Sequence, residues 1–510
     1  MKTKRQYFLN AILMTLVALL MRTVAVSFNV YVSNLVGAEA MGLLSLVGGV
    51  YGFAVTLATS GIHLATVRIV AQRMERTAGA ENKRCLFACL RYAALFGTIA
   101  TLLLLVSAKP LGLFVLKDAR TVRALYILSF TLLPIALTSV LNGYFTAVRR
   151  AFKNAISQVV EQCVKISLTT YLLVCIAPKS TEGCVLAILA GGAVAESLSL
   201  LLNVILYLFD KRRYRGIVPI KNGLPIRVSS IALPVAISAY ARSGLLSIEH
   251  ILIPRGLLKY GAGNSVALAS YGAIQSMALP VVLYPAAILT SFSALLIPEI
   301  TEQQSAGNDE EIRYVAHRVY QYATLFSIGV AGIMLFLSPL LGLVLYDSGE
   351  VARFIRLLAP LVPIMYMDSA TDAMLKGLGE QVYSMRVNIL DALVSVICVA
   401  ILVPRLGIMG YVITIYATEI LNAALSITRL LHVSRFRPKV IRLVARPLLS
   451  VVGATALTRL FFSLVPNLNT TASLWLQGVV ALLFYALLLR LTGAWEKTDT
   501  AWLCHSVFGK

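Results

Sequence analysis

The chain has 510 residues, 58% of them hydrophobic and 13% charged, with a formal net charge of +22. Length alone would suggest about three soluble domains of roughly 150 residues, but so little charge lies outside the range of ordinary soluble domains. Apolar runs of about 20 residues follow one another with short polar breaks, the pattern of a polytopic α-helical membrane protein.

In chain order the apolar segments cover about 8–35, 42–70, 86–108, 122–148, 155–177, 184–209, 228–253, 266–296, 315–338, 354–375, 385–404, 409–432, 443–465 and 472–491. That makes about fourteen spans of bilayer length. The opening Lys2, Lys4 and Arg5 before an apolar run has the outline of a signal peptide. Its apolar character continues past Arg22 to Val36, too long for a cleaved segment, so it reads as a retained first transmembrane helix. The stretch 110–120 is short and amphipathic and suits the membrane interface. The seven cysteines show no CxxC pair and no Cys/His metal spacing. Cys85 and Cys89, four apart, read as packing residues, and a Cys175–Cys184 bridge across an outer loop is a weaker expectation.

Lys and Arg concentrate in alternate loops, at Arg149, Arg150 and Lys153, at Lys211, Arg212, Arg213 and Arg215, and at Arg435, Arg437 and Lys439. This is the positive-inside pattern and not a nucleic-acid face; it predicts a multi-pass cell-membrane protein with both termini cytoplasmic. No GxxxxGK[ST] phosphate loop is present, so transport must draw on an ion gradient, the membrane potential or the substrate gradient.

Charged residues recur inside the apolar segments. Arg22 is answered by Arg242, Glu161 by Asp391 and Glu196 by Glu419, at steps of about 220–230 residues. Charges within hydrocarbon are costly and normally face a bundle interior or a water-filled cavity. Their recurrence predicts a parallel, two-fold repeat of two six-helix bundles, 1–210 and 228–434, joined by a cytoplasmic linker at 211–227. Helices 13 and 14 with the tail, 435–510, fall outside the repeat. Substrate sites of such repeats lie between the halves. Pro234 and Gly244 would let the seventh segment bend as a hinge, and Pro280, Pro285, Pro360 and Pro363 interrupt other second-half helices.

Several motifs resemble a known family. Asn34-Leu35-Val36-Gly37-Ala38-Glu39, Met41-Gly42-Leu43, Leu141-Asn142-Gly143-Tyr144-Phe145 and Ser157-Gln158-Val159-Val160-Glu161-Gln162 look like the stage V sporulation protein B group. Thr59-Ser60-Gly61-Ile62-His63-Leu64-Ala65 resembles the end of that group's second helix, with His63 where proline is usual. The resemblance covers nearly the whole chain. It implies the multidrug/oligosaccharidyl-lipid/polysaccharide (MOP) exporter superfamily, with a MATE-like, all-α fold and flippase activity on lipid-linked sugars.

That activity implies roles for particular residues. Arginine matches phosphate oxygens with a planar, permanently charged fork. Arg22 would bind the pyrophosphate, Arg242 would line the cavity with His250, and Arg68 would meet the head group near the cytoplasmic end of the second span. The resemblance further implies no cofactor, with Na+ or H+ coupling at Glu249, Asn388, Asp391, Thr414 and Thr418. The substrate would be a lipid-linked oligosaccharide, above all a peptidoglycan precursor such as lipid II, for spore cortex synthesis. Partners would be membrane lipids and cell-wall synthases, with the chain acting as a monomer.

Other readings are a flippase for another surface polysaccharide, a cation-coupled drug exporter, a membrane glycan polymerase and a scaffold. Mid-membrane arginines disfavour organic cations. A polymerase needs a catalytic acid or histidine in a large outer loop, and the longest, about 109–121, offers only Asp118 as an acid. The expectation is therefore a transporter and not an enzyme.

Overall fold

The computed structural model describes residues 2–74, 80–148, 150–176, 180–211, 228–435, 441–464 and 469–495, and every regular element among them is helical. In chain order the α-helices are α1 (Lys2–Thr59), α2 (Ile62–Met74), α3 (Ala80–Pro110), α4 (Arg120–Ser129), α5 (Leu132–Ala147), α6 (Ala151–Tyr171), α7 (Thr181–Lys211), α8 (Val228–Tyr260) and α9 (Asn264–Gly272). Then come α10 (Leu279–Leu283), α11 (Ala286–Ser305), α12 (Asp309–Tyr346), α13 (Gly349–Leu358), α14 (Val362–Gly377), α15 (Gln381–Leu406), α16 (Ile408–Ser434), α17 (Arg446–Ser463) and α18 (Thr470–Leu491). Apart from Lys211, the expected linker 211–227 lies outside the described residues, as do Arg149, Arg437, Lys439 and the tail beyond Trp495.

Eleven of the described stretches are long and apolar enough to cross a membrane. The first, Leu19–Ala71, has 53 residues, well over the roughly 20 that one crossing needs. Its helix breaks at Gly37 (φ 80°, ψ 171°), between the first two expected segments. A second break follows at Ser60 (φ 43°) and Gly61 (φ 70°), a left-handed pair that ends α1 without a proline. Only glycine fits at 61, because a Cβ there would lie 2.7 Å from the Ala232 carbonyl oxygen. Two expected segments are not among the eleven. The helix over 155–176 carries Glu161 and Lys165, and the one over 354–375 is interrupted by a 3-10 turn at Ala359–Leu361.

Four of the five prolines expected to interrupt second-half helices mark helix starts. Pro280, Pro360 and Pro363 sit in first turns and Pro285 caps α11, positions where no N–H is missed. Pro234 lies inside α8, which runs unbroken past Gly244. The six described cysteines are free thiols, so Cys175 and Cys184 do not form the expected bridge.

Contacts divide the chain into two units. The first comprises Met1–Gly272 and Ala392–Gly410, and so includes residues 228–272, which follow the linker. Within it α1 packs on α8 and α9 through glycine contacts and hydroxyl bonds. Ser247 Oγ donates to the Gly49 carbonyl (2.6 Å), Thr56 Oγ1 to Ser243 Oγ (3.0 Å), and the Ser60 and Tyr240 hydroxyls share a bond. Nearer the Gly37 turn, a Cβ on Gly42 would lie 1.9 Å from the Leu268 carbonyl oxygen, so the backbones of α1 and α9 are in direct contact.

The second unit comprises Ala273–Asp391 and Tyr411–Lys510. Here α12 packs on α13, α14, α17 and α18, and α11 packs on α14. Leu325, Ile328, Leu337, Val451, Ala454 and Tyr485 share an apolar core, and the Tyr485 hydroxyl is satisfied by the Leu325 carbonyl at 2.7 Å.

A step of 230 residues relates parts of the two units residue by residue. α5 and α14 begin at 132 and 362 and end at 147 and 377. Lys117 and Asp347 are both left-handed helix caps (φ 55° and 46°). The amides of Asp118 and Ser348 donate to Gly112 and Gly342, each at 3.1 Å. The same step takes Glu161 to Asp391.

Candidate functional site

Arg22 precedes the Gly37 break by fifteen residues, about 22 Å along α1 at 1.5 Å per residue. Arg242 lies fourteen residues into α8, about 21 Å from its start. Both side chains are accessible, and neither forms an ion pair or hydrogen bond among the described residues. Arg68, toward the end of α2, is likewise accessible. His250 is differently placed: Nδ1 meets the Tyr271 hydroxyl at 2.6 Å, and the ring lies against Gly49, where a Cβ would come within 2.5 Å of the His250 Cβ. These contacts fix His250 between α1 and α9.

Of the expected coupling residues, Glu249 belongs to the first unit, while Asn388, Asp391, Thr414 and Thr418 belong to the second. Thr414 and Thr418 are buried; the Thr418 hydroxyl donates to the Thr414 carbonyl (2.9 Å), and Asn388 donates to the Ser384 carbonyl (2.8 Å). The structure adds residues that the spacing did not single out for this role. Glu419 lies within electrostatic reach of Asp368 and Asp391, and Asn422 donates to Asp368 at 3.3 Å. These acids are not a tight metal cluster; no group of three or more His, Cys, Asp or Glu among the described residues is arranged to hold a metal.

The end of the first unit near Gly37 holds an array that sequence reasoning missed. Arg120 Nη1 pairs with Glu39 Oε1 at 2.8 Å and Nη2 with Asp118 Oδ2 at 2.7 Å. Ser265 donates to Glu39 Oε2 (2.5 Å), Asn264 donates to Asp118 Oδ2 (3.3 Å), and Arg255 Nη2 donates to the Phe114 carbonyl (2.7 Å). Burial pushes the Asp118 carboxyl up, but the Arg120 hydrogen bonds outweigh it and hold the group below its usual range.

The opposite end of each half is clamped by charge. In the first unit Asp210, fully buried, takes Lys153 Nζ (2.8 Å), the Tyr144 hydroxyl (3.1 Å) and the Arg150 guanidinium. In the second, Arg429 Nη2 pairs with Glu380 Oε1 at 2.7 Å and its guanidinium stacks near the Tyr383 ring.

The second unit also carries an apolar groove of about 750 Å³ among α11, α12 and α18. Tyr322, Phe326, Leu482 and Tyr485 line it, with Arg490 and Trp495 where α18 ends.

Residues 8–302 match the family described as polysaccharide biosynthesis protein. The chain belongs to that family. Residues 259–402 of this family member also match MatE. It is 27% identical, over 82% of each chain, to stage V sporulation protein B of Bacillus subtilis (strain 168). Its fold is similar to that of the lipid II flippase MurJ in an inward closed conformation (TM-score 0.70, 13% identity, 94% of this chain and 98% of that one). It is also similar to an inward-facing multidrug resistance MATE family transporter of the MOP superfamily (TM-score 0.64, 16% identity, 83% and 100%). The chain thus combines this family's sequence pattern with a multi-pass, all-helical, MATE-like fold.

Proposed function

We propose that this protein is a flippase carrying a lipid-linked oligosaccharide, a peptidoglycan precursor such as lipid II, from the cytoplasmic to the outer leaflet. The observation that carries the reading is the pair Arg22 and Arg242: accessible, without ionic partners among the described residues, and each some 20 Å from its helix end. An arginine left unpaired at that depth is costly unless it serves an anionic ligand or water-filled space. A pyrophosphate fits the guanidinium fork, and an organic cation does not.

The apolar groove suits the other part of such a substrate. A polyprenyl tail can lie among α11, α12 and α18, where apolar side chains line the groove. Arg68 makes the first contact with the head group, and Pro234 and Gly244 supply flexure in α8. Uptake of Na+ or H+ at Asp391, with Asn388, Thr414 and Thr418, drives the cycle, Asp368 and Glu419 add negative charge beside Asp391, and Glu249 offers a separate carboxylate on α8. The alternation of loop charges supports a cytoplasmic position for both termini. Similarity to the sporulation protein supports a spore cortex precursor as cargo, with a cell-wall synthase receiving it.

The test is complementation in cells depleted of their own lipid II flippase. Wild type should restore growth and Arg22→Ala should not. Failure of an expressed, inserted wild-type chain to rescue would remove the peptidoglycan assignment.

A further inference from the structure

We infer that the array at the Gly37 end of the first unit is a latch, in which Arg120 bridges Glu39 and Asp118 and the α8–α9 turn caps both acids, and that it must part once in each transport cycle. The parting rests on the flippase reading and its orientation, which puts this end on the outer side. The latch itself rests on the contacts.

Three turns meet here: the break at Gly37, the segment 111–121 and the turn 261–265. Glu39, Asp118 and Arg120 all lie on the first two. Asp118 is held by the Arg120 guanidinium and by the Arg120 amide, at 3.0 Å to Oδ1, so Arg120 and its two acids form one preassembled surface. What reaches across from α8 and α9 is lighter: the side chains of Asn264 and Ser265, both exposed, and the Arg255 bond to the Phe114 carbonyl. Water can replace each of these when the turns separate. Beneath them Gly42 and Gly272 meet backbone to backbone, with no interlocking side chains to withdraw.

The second half shows that these charges are not needed to build the turn. At the 230-residue step, Asp118 becomes Ser348 and Arg120 becomes Glu350. Ser348 accepts the Val351 amide at 3.3 Å and starts α13 after the same left-handed cap. The same backbone turn formed without an Asp–Arg pair at these positions in the second half points to a task beyond local folding.

The test is a distance measurement between spin labels at Ala119→Cys and Gly263→Cys, both exposed, in a chain whose seven cysteines are replaced by serine. With Asn264 and Ser265 intact, one short distance should dominate. Asn264→Ala with Ser265→Ala, and separately Arg120→Gln, should raise the ratio of a longer population to the short one by about tenfold, the shift expected when a two-state element loses a few hydrogen bonds from one state. An unchanged single distance in both variants would overturn the latch. Should the cysteine-free chain fail to fold, hydrogen exchange on the natural chain gives the same decision: the double variant should raise uptake in 111–121, and unchanged uptake there rejects the proposal. Neither measurement uses substrate. A failed complementation therefore counts against the flippase reading alone, and unchanged distances count against the latch alone.

Discussion

Arg150 and Glu380 occupy equivalent places 230 residues apart and carry opposite charges. Each donates its amide five residues back, to Phe145 and Leu375, at 2.8 Å, closing the turn after a helix. Arg150 then pairs with Asp210 at the end of α7, and Glu380 with Arg429 near the end of α16. The two halves keep the ion pair and exchange its signs. Attraction between two charges is indifferent to which partner holds which sign.

Exchanging the second clamp should therefore be tolerated. Glu380→Arg with Arg429→Glu should melt near wild type in a detergent thermal-unfolding assay, whereas either change alone lowers the melting temperature by setting like charges together. Asp210→Asn should cost more, about 2–4 kcal/mol, because it leaves Arg150 and Lys153 around a buried neutral amide. A double exchange as harmful as the single ones would show that the pairing is incidental.

The glycine contact between α1 and α9 gives a sharper structural test. Gly42→Val should destabilise by about 1–3 kcal/mol or prevent folding, because its Cβ would press on the Leu268 carbonyl. Gly48→Ala, one and a half turns on, has nothing within 4 Å and should be neutral or mildly stabilising. Equal effects of the two changes would mean that the close approach is not maintained in the folded protein.

Filling the groove should separate substrate from stability. Leu483 lines it and is 65% exposed, so Leu483→Trp should leave thermal stability within about 0.5 kcal/mol. The variant should move a long-chain polyprenyl substrate several-fold more slowly and a short-chain analogue at the normal rate. Equal slowing of both would remove the tail from the groove.

The pH dependence of the latch follows from Asp118. Its folded pKa lies below the ordinary value, so the stabilisation is complete above the unfolded pKa of about 3.9 and is lost as pH falls through the lower folded value. The distance between labels at 119 and 263 should hold from pH 7 down to about 5 and lengthen only below about 4. Opening with a midpoint near 6.5 would assign the control to some other group.

Much of this was legible in the sequence because the bilayer writes strong rules. It fixes the length of a crossing, and it makes charges such as Arg22 and Arg242 rare enough to notice. The spacing of Glu161 and Asp391 already contained the 230-residue step that the backbone repeats at Lys117 and Asp347. Sequence could not show the array at the Gly37 break of α1. Glu39, Asp118 and Arg120 look like ordinary loop charges, and the partners Glu39 and Ser265 are 226 residues apart. Asp210 read only as the last residue of the first bundle, although it is the buried centre of a clamp. His250 read as cavity lining, but packing and the Tyr271 bond hold its ring. In each case the deciding contact comes from another helix, and no local pattern records it.

The most direct test of the flippase reading is a leaflet-exchange assay on the purified chain in proteoliposomes, using a fluorescent lipid-linked pyrophosphoryl sugar and its pyrophosphate-free analogue. Wild type should move the first and not the second, and Arg22→Ala should slow the first at least about tenfold, the loss expected for a charge-assisted phosphate contact. Equal movement of the two lipids, or an undiminished rate in Arg22→Ala, would contradict it.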